Sequence, residues 1–203
     1  MPAKAVVFDL GKVLFDFDLL KFTKLFSKKT PHHIDNINEL LTKYTDLAIL
    51  YEKGNIDSLN FYEAIKEKTR YSGSYNEFCV IWNNIFTPIE QTIELAAKTA
   101  SKYPVGILSN TNELHWNYLQ ERYPSLFMIF DKKFLSHELH LRKPEDEIFQ
   151  ALISDYGLKP EEIFFTDDME VNVAAASKNG IVARQFKTAA KLEENFKELG
   201  IKI

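Results

Sequence analysis

Asp9 directly follows the apolar run Ala5-Val6-Val7-Phe8, and Gly11 stands two residues beyond it. The run is short and rich in β-branched and aromatic residues, which predicts a buried parallel strand. Asp9 then falls at the strand's carboxyl end, the edge where open α/β sheets bind their ligands. A carboxylate there suits a covalent nucleophile or a metal ligand; it equally suits a residue that opens a turn. Two further runs end in polar groups. Val105-Gly106-Ile107-Leu108 leads into Ser109-Asn110-Thr111-Asn112, and Glu162-Ile163-Phe164-Phe165 leads into Thr166-Asp167-Asp168. Lys143 precedes Pro144 where a helix is predicted to start.

In a parallel sheet all these ends face one edge. Asp9, Asp167, Asp168, Ser109 and Lys143 are therefore predicted to converge on one crevice. Carboxylates packed together raise one another's pKa unless a cation sits among them. Oxygen-rich sites of this kind suit Mg²⁺. A Ser hydroxyl, nearby backbone N–H groups and a Lys bind phosphate. The reaction class that uses all these parts is phosphoryl transfer to a carboxylate.

The elements that must position these groups alternate between strand and helix. Helices are predicted at 89–103, 144–156, 171–179 and 189–199, with Gly157 and Gly180 ending the second and third. A weaker strand is predicted at 133–136 and a last one at 181–186. The alternation predicts an α/β fold, a Rossmann-like, mainly parallel sheet with helices on both faces. Residues 17–87 break the pattern with four or so helical stripes. One holds Leu19, Leu20, Phe22, Leu25 and Phe26; others span 34–51, 59–71 and 75–86, with Asp57 or Ser58 as the N-cap of the third. They read as a small all-helical insertion, leaving residues 1–16 and 88–203 as the core.

The bulk composition bounds the function. A chain of 203 residues fits one domain, or one domain with an insertion. Twenty-five Lys and Arg against 29 Asp and Glu give a formal charge of -4, which shows no broad nucleic-acid footprint. The single cysteine, Cys79, excludes an intramolecular disulfide and a multi-cysteine zinc site, and its apolar neighbours predict a packed thiol. No apolar run approaches the roughly 20 residues that cross a bilayer. With no leader pattern at the N-terminus, a soluble cytoplasmic protein with no membrane partner is expected.

Four short motifs occur in order: Phe8-Asp9-Leu10-Gly11-Lys12-Val13, Leu108-Ser109-Asn110-Thr111-Asn112, Arg142-Lys143-Pro144 and Phe164-Phe165-Thr166-Asp167-Asp168. Together they resemble the haloacid dehalogenase (HAD) superfamily, over essentially the whole chain, with a small helical cap inserted after the first motif. Leu-Ser-Asn-Thr-Asn and Leu-Arg-Lys-Pro-Glu are most similar to the subgroup that includes bacterial α-D-glucose-1-phosphate phosphatase. The resemblance implies a Mg²⁺-dependent phosphatase of a small phosphorylated metabolite, such as a sugar phosphate. It implies that Asp9 is the nucleophile that forms an aspartyl-phosphate and also a metal ligand. The Gly11 carbonyl and Asp168 would complete the metal ligands, and Asp167 would act on the metal through water. Ser109, Asn110 and Lys143 would hold the phosphoryl group, with Lys143 also neutralising Asp9.

The chain departs from the superfamily at Gly11, where most of its phosphatases carry a second Asp that donates and then accepts a proton. Such proton transfer contributes about 10²–10⁴-fold. The enzyme would then be slow, use another acid, or prefer a leaving group that needs little protonation. Asp16, Asp18 and His115 are the nearest other candidates, and as loop or surface residues they need no catalytic explanation. Gly11 also supports an alternative, a HAD-fold binding or regulatory protein without turnover. A third reading, a metal-independent dehalogenase, is opposed by Gly11, where those enzymes carry Tyr, and by the Asp167-Asp168 pair.

Overall fold

The structure, a computed structural model, describes residues 3–31 and 43–203. Five parallel strands form the main sheet in the order β5-β4-β1-β6-β7. They are β1 (Ala5–Phe8), β4 (Val105–Ser109), β5 (Lys132–Leu135), β6 (Ile163–Asp167) and β7 (Val182–Gln185). β1 is central and wholly buried. Its side chains alternate between two cores, as the period of a strand requires. Val6 and Phe8 pack with Leu95, Leu119, Leu192 and Phe196. Val7 packs with Leu108, Ile148, Phe149, Leu152 and Phe165. Helices Glu90–Ala100, Glu113–Arg122 and Ala189–Glu198 supply the first face, and Asp146–Tyr156 and Glu170–Lys178 the second. This is the predicted Rossmann-like architecture.

Register brings the polar strand ends level. Phe8 pairs with Ile107 on one side and Thr166 on the other. Asp9 continues the ladder, its N–H donating to the Thr166 carbonyl at 2.9 Å. Gly157, at φ 62°, closes the helix Asp146–Tyr156 as expected of a left-handed cap. Ser136, predicted in a strand, instead opens the short helix Ser136–Leu139.

Between β1 and β4 the chain builds helices Leu19–Phe26, Thr45–Glu52, Ser58–Thr69 and Tyr75–Asn83. Residues 34–42, the first part of the predicted 34–51 helix, lie outside the described residues. Asp57 caps Ser58–Thr69 by accepting from Asn60 N–H, and Ser74 with Glu77 forms a capping box on Tyr75–Asn83. The helices share an aromatic core of their own, with Phe26 stacked on Tyr71 (4.7 Å) and Tyr51 on Phe61 (4.2 Å).

The insertion is not purely helical. β2 (Phe15–Phe17) and β3 (Phe86–Pro88) pair antiparallel at its base, Phe15 opposite Pro88 and Phe17 opposite Phe86. This ribbon straddles both expected boundaries, 16/17 and 87/88. Three-residue strands are too short to show a period, and their pairing spans some seventy residues of sequence, so no local pattern announces them.

Candidate active site

The short connection after β1 is a tight turn. Phe15 N–H donates to the Leu10 carbonyl at 2.9 Å and Lys12 N–H to the Phe15 carbonyl at 2.6 Å, with Lys12 left-handed at φ 58°. These bonds flank Gly11 and leave its own N–H and C=O directed away from that bridge. The Lys12 ammonium pairs with Asp16, donates to the Phe17 carbonyl at 2.9 Å, and lies 4.5 Å from the centre of the Phe17 ring.

Lys143 is the hub. Its Nζ donates to Asp9 Oδ1 (2.7 Å), Asp167 Oδ2 (2.6 Å) and the Leu108 carbonyl (2.8 Å). An ammonium has three protons, so each one has a partner. The group is almost fully buried, and such a charge persists there only when paired. Burial works against the ammonium, but Asp9 and Asp167 outweigh it and hold Lys143 above its usual range. Burial pushes Asp9 up to about 7, with Asp167 adding repulsion and Lys143 opposing both.

Both oxygens of Asp167 are engaged as well. Oδ1 accepts from Met169 N–H (2.9 Å) and Asn172 Nδ2 (3.0 Å); Oδ2 accepts from Lys143 and from Asn172 Nδ2 (3.1 Å). Asp168 is half-buried, and burial followed by the Asp167 charge raises its pKa. Asp9, Asp167 and Asp168 each bring a carboxylate oxygen within 4.8 Å of the others. Three carboxylates against one ammonium leave an excess of negative charge. Hard oxygen donors with that excess fit a divalent cation such as Mg²⁺.

Ser109 ends β4 and is buried beside the same crevice. The Asn110 side chain is committed to the Lys143 backbone. Its Oδ1 accepts from Lys143 N–H at 2.8 Å and its Nδ2 donates to the Lys143 carbonyl at 2.9 Å, which leaves the Asn110 backbone N–H for a ligand. The next residue is pinned too, since Ser136 Oγ accepts from Thr111 N–H and donates to the Thr111 carbonyl, both at 2.9 Å. Sequence reasoning missed Ser136 and Asn172, which contact the site residues and not the crevice. Asn172, in the first turn of the helix Glu170–Lys178, and Ser136, at the end of the weaker predicted strand, both lie outside the four motifs.

A cavity of about 290 Å³ opens above these residues. Leu10, Gly11, Ser109 and Asn110 line it, together with Phe17, Glu52, Phe61, Trp82 and Phe86 from the segment between β1 and β4. Larger clefts of about 490 and 370 Å³ exist, but neither is lined by Gly11, Ser109 or Asn110. The other acid candidates have structural partners. Asp18 caps the helix Leu19–Phe26, and Lys12 holds the Asp16 carboxyl below its usual range. His115 uses both ring nitrogens, Nδ1 with Asn112 Nδ2 and Nε2 with the Trp82 carbonyl, each at 3.1 Å. A carbonyl only accepts, so Nε2 carries the proton. Burial pushes His115 down to about 4.

A parallel sheet with a buried Asp–Lys–Asp cluster at its carboxyl edge, flanked by a third carboxylate and a Ser, defines a Rossmann-like hydrolase site. The profile of the haloacid dehalogenase-like hydrolases matches residues 3–180, and the chain belongs to that family. It is 27% identical over 196 residues to D-ribitol-5-phosphate phosphatase from Bacteroides thetaiotaomicron, covering 92% of this chain and 93% of that protein. A HAD-family enzyme from the same organism, solved in complex with magnesium and inorganic phosphate, superposes with a TM-score of 0.83 at 32% identity, over 92% of this chain and 95% of the other. A HAD-like family hydrolase from Porphyromonas gingivalis shares the fold, with a TM-score of 0.83 at 24% identity over all of both chains. These matches place the chain in the superfamily without singling out the glucose-1-phosphate subgroup.

Proposed function

We propose that this hydrolase is a Mg²⁺-dependent phosphatase of small phosphorylated metabolites, sugar and polyol phosphates among them. The observation that carries the reading is the buried ammonium of Lys143 between Asp9 and Asp167. That cation opposes the burial and the Asp167 charge that push Asp9 toward protonation, and so favours the carboxylate form a nucleophile needs. The similarity to D-ribitol-5-phosphate phosphatase and to a structure holding magnesium and phosphate supports the same reading.

Asp9 attacks phosphorus with one oxygen and forms an aspartyl-phosphate. The Asp9 and Asp168 carboxylates and the Gly11 carbonyl would hold Mg²⁺, which offsets the negative charge of the phosphoryl group when bound. Asp167 acts from behind: its oxygens already accept from Lys143, Asn172 and Met169, so it orients the Lys143 ammonium and would act on Mg²⁺ only through water. Ser109 offers its hydroxyl, and Asn110 its backbone N–H, to the transferring phosphoryl group. The Lys143 protons are all engaged, so Lys143 contributes charge and position. Residues 17–87 act as a cap over a core of 1–16 and 88–203, and the aromatic walls of the cavity select the leaving group and exclude water. No helix among the described residues is long and apolar enough to cross a membrane, in keeping with a cytoplasmic enzyme on soluble substrates.

Gly11 supports a second reading, a binding protein that retains the site without turnover. Release of inorganic phosphate from a panel of sugar, polyol and acyl phosphates, with and without Mg²⁺, decides between them. Phosphate release that requires Mg²⁺ is expected. Tight binding of panel members with no release from any would favour the binding protein.

A further inference from the structure

Among the described residues, three titratable side chains line the cavity: Tyr51, His115 and Glu52. Two of them are committed elsewhere. The Tyr51 hydroxyl lies 2.9 Å from Ser58 Oγ and accepts from Leu114 N–H at 3.3 Å. His115 has both nitrogens engaged, as described above. Glu52 differs. One of its oxygens, Oε2, accepts from Arg142 at 3.0 Å, and Oε1 has no hydrogen bond among the described residues. Among the described residues, Glu52 is therefore the one carboxyl group lining a cavity that Gly11, Ser109 and Asn110 also line.

We propose that Glu52 supplies the proton transfer that position 11 lacks, as general acid toward the leaving group and then general base toward water. The proposal rests on the phosphatase reading and extends it to a residue outside the four motifs. In the first step an Asp9 oxygen forms a bond to phosphorus and the bond from phosphorus to the ester oxygen breaks. The Glu52 proton passes to that oxygen, which leaves as an alcohol. In the second step water attacks phosphorus and gives its proton to Glu52. The bond to Asp9 breaks, and Asp9 returns as a carboxylate beside inorganic phosphate.

Position supports this role. Glu52 is the last residue of the helix Thr45–Glu52, where the helix dipole disfavours an anion. It is tied to the segment that carries Lys143. Arg142 bonds Glu52, Lys53 Nζ bonds Glu145 at 2.8 Å, and the Lys53 carbonyl sits 2.8 Å from His140 Nδ1. The proton donor and the cation that orients Asp9 thus share one support. Burial raises the Glu52 pKa, while the Arg142 and Lys143 charges oppose it. A carboxyl group held upward in this way keeps its proton to a higher pH than an exposed one, which favours an acid catalyst.

The test is a leaving-group series for the wild type and Glu52→Gln, running from acetyl phosphate and p-nitrophenyl phosphate to primary alkyl phosphates, at saturating Mg²⁺. The wild type is expected to turn over primary alkyl phosphates. Glu52→Gln should slow these by about 10²–10⁴-fold and acetyl phosphate by less than about tenfold. Arg142→Gln keeps the carboxyl group but removes its cation, so its alkyl-phosphate pH profile should shift upward; this covers the case in which Glu52→Gln fails to fold. Equal slowing of every substrate by Glu52→Gln would make Glu52 a structural latch and overturn the proposal, as would an unmoved pH profile in Arg142→Gln. A wild type active only on activated phosphates, with phosphorylated Asp9 detected by mass spectrometry, would also overturn it while the phosphatase reading stands. No phosphate release from any substrate would sink both.

Discussion

The side chain of Asn110 brackets the backbone of Lys143, accepting from its N–H at 2.8 Å and donating to its carbonyl at 2.9 Å. Removing the amide leaves two backbone groups without their partner, a cost of about 1–3 kcal/mol. It also loosens the residue whose ammonium sits between Asp9 and Asp167. Asn110→Ala is expected to lower the denaturation midpoint and to reduce kcat by about 10²-fold. Paired thermal melts and phosphate-release assays check this. A variant with wild-type kcat would show that the bracket does not set the position of Lys143.

Asp9→Asn should abolish phosphate release, because an amide is a poor nucleophile. Ser109→Ala should retain measurable turnover, since it removes one donor and not the attacking atom, an effect of about 10²–10³-fold. Single-turnover assays with mass spectrometry of Asp9 distinguish the two.

Asp168→Ala should weaken Mg²⁺ binding strongly without unfolding the chain, because Asp168 is half-buried and Asp167 keeps its own partners. Calorimetric titration of the apoprotein with Mg²⁺ measures this directly. An unchanged affinity would remove Asp168 from the ligand set.

A Cβ added at residue 11 would stand 3.0 Å from Phe17 Cε1. Any side chain at position 11 therefore presses on the ring that lines the cavity. Gly11→Ala should destabilise by about 1 kcal/mol through overpacking. The cost should shrink in a Phe17→Leu background, giving a coupling of about 0.5 kcal/mol or more in a double-mutant cycle. Additive effects, read by denaturant unfolding, would show that the ring moves aside without cost.

His115 is held at about 4 in the folded chain, below the ordinary value of 6.5. Between those values the unfolded chain binds the proton and the folded chain does not. Stability contributed by neutral His115 is thus present above pH 6.5 and is lost as pH falls through about 4. The loss amounts to roughly 3 kcal/mol. His115→Asn should flatten that part of the stability curve relative to wild type, as measured by denaturant unfolding between pH 7 and pH 4.

What the sequence determined by itself is the set of strand ends and their chemistry. An apolar run that stops at a carboxylate or a hydroxyl is a local pattern. The parallel sheet makes every such stop face one edge, so Asp9, Ser109 and the Asp167-Asp168 pair are legible as neighbours from the chain alone. Lys143 was legible from its place before Pro144 at a helix start. The tertiary structure alone decided how those groups are supported. It turned the Asn110 side chain onto Lys143, gave Asp167 to Asn172, and closed the base of the insertion with the β2–β3 ribbon. It also set Glu52 against Arg142, ninety residues apart, on the wall of the cavity. Contacts of that kind join residues whose spacing follows no helical or strand period. They form because burial requires each polar group to find a partner, and which partner lies within reach is settled by the packing of whole elements.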